Sequence, residues 1–98
     1  MTRAIENGQT ELLARALLAL ETREDCYRLL SDLCTVREVL DMGQRIEVAR
    51  LLSEKVTYTE IARKTGASTA TISRVNRSLL YGEGGYGRIL ARIGAGDD

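Results

Sequence analysis

The chain has 98 residues, with fourteen Lys or Arg, fourteen Asp or Glu and no His, so its formal net charge is zero. That length fits a single domain, and 44% apolar with 29% charged residues is an ordinary globular composition. The lack of His excludes a Ser-His-Asp triad, a His-ligated metal and imidazole acid–base chemistry, and two Cys are too few for a four-thiolate zinc site.

Leu12, Leu13, Ala16, Leu17 and Leu20 recur at helical spacing, which predicts an amphipathic helix over residues 9–21. Thr22, with Asp25 three positions on, forms a weak capping box. It opens a second helix with the apolar stripe Cys26, Leu29, Leu30 and Leu33. Cys26 and Cys34 both fall on apolar helix faces, which favours buried free thiols over a disulfide. Thr35 and Glu38 make a better box, flanked by Cys34 and Val39 at the staple positions, and predict a short third helix that Gly43 ends. Ile46, Ala49 and Leu52 then line a fourth helix, with Val48 and Leu51 widening its stripe.

Thr57 and Glu60 form another box, stapled by Val56 and Ile61. The helix they open ends at Gly66, with Arg63 and Lys64 in its last turn, where cations suit the helix dipole. Ser68 or Thr69 caps the next helix, which runs to about Tyr81. Four Gly within residues 82–87 predict a flexible loop, and Ile89, Leu90 and Ile93 mark a last short helix over 88–93. No segment alternates with period two for long enough to be a strand. The expected fold is all-α: one domain over 1–98, with scaffold and dimerisation helices in 9–54, a helix-turn-helix in 57–81 and the short helix 88–93. No apolar run approaches the roughly 20 residues of a membrane span, and no signal-peptide core opens the sequence, so a cytoplasmic protein is expected.

Charge is unevenly spread. Residues 1–54 hold seven basic and ten acidic groups, a net of −3, whereas residues 55–96 hold seven basic and two acidic groups, a net of +5. The basic half suggests an anionic partner. All four aromatics are Tyr, so the core is thin for the length, and such chains often gain core by oligomerising.

Residues 57–81 meet the local demands of a helix-turn-helix in register. Gly66 supplies the positive φ of the turn, Ala62 is small where the helices cross, and Ile72, Val75 and Leu79 form the inward stripe against Ile61. Thr65 is the one imperfect position. The outward face of the second helix carries Ser68, Thr69, Ala70, Thr71 and Ser73 toward its start and Arg74 and Arg77 beyond. Hydroxyls and methyls can meet base edges in a major groove while Arg reaches a guanine or a phosphate. Thr59, Arg63 and Lys64 on the first helix are placed for the flanking backbone. No acidic residue occurs from Ile61 through Gly82. The alternative is simply two packed helices without a DNA role.

The run Gly66-Ala67-Ser68-Thr69-Ala70-Thr71-Ile72-Ser73-Arg74, with Asn76 and Ser78-Leu79, resembles the reading head of the Trp repressor family. Together with Cys26-Tyr27-Arg28, Asp32-Leu33-Cys34-Thr35 and Gln44-Arg45-Ile46-Glu47-Val48-Ala49-Arg50, it is most similar to the YerC/YecD group of Trp-repressor-like bacterial proteins, over residues 9–93. The resemblance implies an intertwined helical homodimer with exchanged N-terminal helices. Its two heads would read a palindromic operator in double-stranded DNA, about one helical turn, roughly 34 Å, apart. It also implies effector positions at Arg45, Arg74 and Ser78. Arg45 and Arg74 equally suit an ion pair and a phosphate contact. Val75 replaces the small Gly that the family places beside its ligand, which argues against L-tryptophan and leaves room for another small-molecule effector.

The reading that combines these features is a non-enzymatic, cofactor-free transcriptional repressor in the bacterial cytoplasm, at the nucleoid. The alternatives are the DNA-recognition module of a transposase or initiator, and a helical protein-interaction adaptor. An enzyme is disfavoured because Cys, Ser and Thr lack an imidazole partner. The glycines of 82–87 also lack the Gly-Lys-Ser/Thr ending of a phosphate loop.

Overall fold

The computed structural model describes residues 3–96, which form six helices and no strand. They are α1 (Gly8–Leu18), α2 (Arg23–Leu33), α3 (Val36–Ser53), α4 (Tyr58–Thr65), α5 (Thr69–Tyr81) and α6 (Gly85–Gly96). The chain divides into two compact units, the first ending at Val36 and the second beginning at Arg37.

In the first unit, Asn7 caps α1 by accepting from the Thr10 amide at 2.9 Å, while the Thr10 hydroxyl accepts from the Asn7 amide at 2.8 Å. This reciprocal box lies outside the pattern read from the sequence. Thr22 caps α2 as expected, accepting from the Asp25 amide at 3.0 Å. The Asp25 carboxylate accepts from the Glu21 amide at 3.3 Å, one residue before the position a capping box requires. Neither helix contains a buried residue, and Leu12, Leu17, Leu18 and Leu33 remain exposed on them. The two Cys are free and half-buried.

The second unit holds the core: Val48, Ala49 and Leu51 from α3, Ile61 from α4, Ala67 from the turn, and Ile72 and Val75 from α5. Leu52, Val56, Ala62, Tyr86 and Leu90 pack around it. Ile61, Ile72 and Val48 are completely enclosed, so Ile72 and Val75 of the predicted stripe pack with Ile61, whereas Leu79 is half-buried and stands outside this cluster.

Two expectations are corrected here. Gly43 does not end a helix: α3 runs unbroken for 18 residues, and the predicted third and fourth helices are one. A helical Gly costs only about 1 kcal/mol relative to Ala, and the burial of Val48, Ala49 and Leu51 on the same helix offsets it. The predicted loop over 82–87 also shrinks to 82–84, because α6 starts at Gly85 and takes in Tyr86 and Gly87. Tyr86 and Leu90, four apart on one face, pack on the core and hold that glycine-rich turn helical.

Candidate nucleic-acid interface

Thr57 accepts from the Glu60 amide and starts α4; Gly66 ends it in the left-handed region, φ 76°, with its amide donating to Ala62 O at 2.9 Å. Thr65, the imperfect position in the sequence pattern, is put to use. Its hydroxyl donates to Ile61 O at 2.8 Å and accepts from the Ala67 amide at 3.1 Å, which ties the last turn of α4 to the chain beyond Gly66. Ser68, not Thr69, caps α5: its Oγ accepts from the Thr71 amide and donates to the Thr71 hydroxyl, both at 3.1 Å.

These caps aim the outer surface of α5. Ser68, Thr69, Ala70, Ser73, Arg74 and Arg77 are all exposed, whereas Thr71 is half-buried with its hydroxyl engaged by Ser68. Thr59, Arg63 and Lys64 are exposed on α4. Arg63 is gripped by Glu60, whose carboxylate receives both Nε, at 3.0 Å, and Nη2. The hydrogen bond from Arg63 holds the Glu60 carboxyl below its ordinary value, with desolvation opposing it in part, and Glu60 in turn raises Arg63. Among the described residues no ion pair holds Arg74 or Arg77.

The three expected effector positions come together. Arg45, Arg74 and Ser78 line a cleft of about 400 Å³, whose other walls are Asp41, Gln44, Thr71, Val75 and Tyr86. Asp41 and Tyr86 were missed by sequence reasoning. Asp41, Gln44 and Arg45 share one helical face, a usable signal, but Tyr86 lies in the segment that its glycines predict to be a loop. Arg74 and Thr71 belong to both the cleft and the outer face of α5. Val75 is buried at 2% exposure and takes up space at the cleft wall. Gln44 reaches furthest: its Nε2 donates to Thr65 O at 3.2 Å, across 21 residues of sequence. No group of three or more metal-ligating side chains occurs among the described residues.

A short helix, a left-handed glycine turn and a second helix with a polar, cationic outer face define a helix-turn-helix protein. The family model for Trp repressor protein matches residues 8–94, and the chain belongs to that family of helical DNA-binding regulators. It is 48% identical over 89 residues to the uncharacterized protein YerC of Bacillus subtilis strain 168, covering 91% of this chain and 86% of that one. A TrpR-like protein from Eubacterium eligens superposes with a TM-score of 0.89 at 50% identity, over 92% of this chain and 93% of its own. A Trp-repressor candidate from Staphylococcus aureus superposes at 0.88 with 44% identity, over 92% and 90%. No helix among the described residues is long and apolar enough to cross a membrane.

Proposed function

We propose that the protein is a dimeric transcriptional repressor that reads a palindromic operator through α4 and α5. The observation that carries this reading is the outer face of α5. It is hydroxyl-bearing where the helix begins and cationic at Arg74 and Arg77, on a segment without a carboxylate from Ile61 through Gly82. Ser68, Thr69, Ala70, Thr71 and Ser73 meet base edges or adjacent phosphates, and Thr59, Arg63 and Lys64 meet the flanking backbone. Two heads require two chains. The exposed leucines of α1 and α2, which find no core within their own unit, support a partner subunit that covers them. The site of action that follows is the nucleoid.

Selection of bound duplexes from a random library tests operator reading and half-site symmetry together. A two-fold symmetric consensus is expected, and no sequence-dependent gel shift at low salt would overturn the reading. Arg74→Ala lowers affinity for the selected site by roughly 5- to 150-fold if it contacts a base, since one base contact discriminates by about 1–3 kcal/mol. Arg45, Arg74 and Ser78 give the cleft the donors to hold a small anionic effector. L-tryptophan is not that effector, because Val75 fills part of the space a ring would need. Calorimetric titration with L-tryptophan is expected to show no micromolar binding.

A further inference from the structure

We propose that Gln44 is a positioning residue of the reading head: from α3 it fixes the turn that sets how α5 is presented to DNA. This rests on the DNA-binding reading above and adds to it a residue that contacts no DNA. The last carbonyls of a helix have no partner within it. Thr65 O, at the end of α4, is one of these, and the half-buried Gln44 amide supplies its donor at 3.2 Å.

Two side chains therefore hold this turn. Thr65 acts locally, bridging Ile61 O and the Ala67 amide through its hydroxyl. Gln44 acts from another helix, adding a directional hydrogen bond from α3 to the packing of Ala67 in the core that α3 shares. Gly66, between Thr65 and Ala67, has the backbone freedom that makes such a restraint matter: φ is 76° and a Cβ there would touch nothing within 4 Å. Two residues later Ser68 caps α5, so a shift at Thr65 is passed to the helix start that bears Thr69 and Ala70. A residue with this role changes discrimination between sequences rather than attraction to DNA in general, because phosphate attraction tolerates small reorientation and base contacts do not.

Gln44→Met separates the two effects. It keeps length and helix propensity and removes both N–H donors. Wild type and variant are titrated, as full chains, with the selected operator and with an unrelated duplex of equal length over a salt series. Amide hydrogen exchange at Gly66 and Ala67 is followed without DNA. The expected result is an operator affinity lower by roughly tenfold, the scale of one hydrogen bond. Affinity for the unrelated duplex and the salt slope stay unchanged, and exchange at the turn is faster. An equal loss on both duplexes marks a merely structural role and overturns the proposal, as does an unchanged operator preference or unchanged exchange at the turn. If wild type prefers no sequence, the DNA-binding reading falls and this proposal with it.

Discussion

Glu60 restrains a cation on the face proposed to meet DNA. Its carboxylate takes the Arg63 guanidinium through Nε at 3.0 Å and through Nη2, so Arg63 approaches a phosphate only by leaving a partner. Both side chains are substantially exposed, at 39% and 68%, and the pair adds little to folding. Its effect is on binding. Glu60→Gln releases Arg63 and is expected to strengthen binding to unrelated duplexes, with a salt slope steeper by about one per head. The pH dependence has a definite sign. Because Arg63 holds the folded Glu60 carboxyl below its ordinary value, the small stability the pair contributes is present above the ordinary carboxylate range. It is lost as pH falls through the lowered folded value. Thermal melts down an acid series should show that limb flattened in Glu60→Gln.

At the scale of the element, the sequence was most legible where structure is local. Gly66, the Ser68 cap and the stripe Ile72, Val75 lie within a turn or two of what they control, and each is found in its expected place. The misreadings have one cause. Gly43, Gly85 and Gly87 were given their intrinsic preference for breaking helices, but that preference is worth about 1 kcal/mol and packing outweighs it. The cleft was only half legible. Arg45, Arg74 and Ser78 follow from the family pattern and Asp41 does not, whereas the Gln44 amide reaching Thr65 and the contribution of Tyr86 depend on tertiary contacts with no periodic signature. A Cβ at Gly43 meets nothing within 4 Å, and the position is helical, so Gly43→Ala should gain about 0.5–1 kcal/mol in denaturant unfolding. Gly82→Ala should do the opposite by about 1–3 kcal/mol, since its Cβ would stand 2.4 Å from Ser78 O.

For the whole molecule, zero net charge first suggests indifference to DNA. The segments show why zero is a weak guide: −3 over residues 1–54, +5 over 55–96 and −2 from Asp97 and Asp98 cancel in the sum but not along the chain. Counterion release counts the phosphates a protein neutralises, not its total charge. On the proposed reading, a neutral chain that presents Lys64, Arg74 and Arg77 is expected to show a steep salt dependence on its operator, while its acidic segment keeps bulk attraction to DNA low. Lys64→Ala tests this without touching a base contact. Lys64 sits exposed in the last turn of α4, and its proposed contact is to the DNA backbone alone. Its removal from both heads of a dimer should lower the slope of log K against log salt by about two and weaken operator and unrelated duplex by the same factor. A slope lower by only about one would mean a single head engaged, and would count against the dimer. An unchanged slope would remove α4 from the interface.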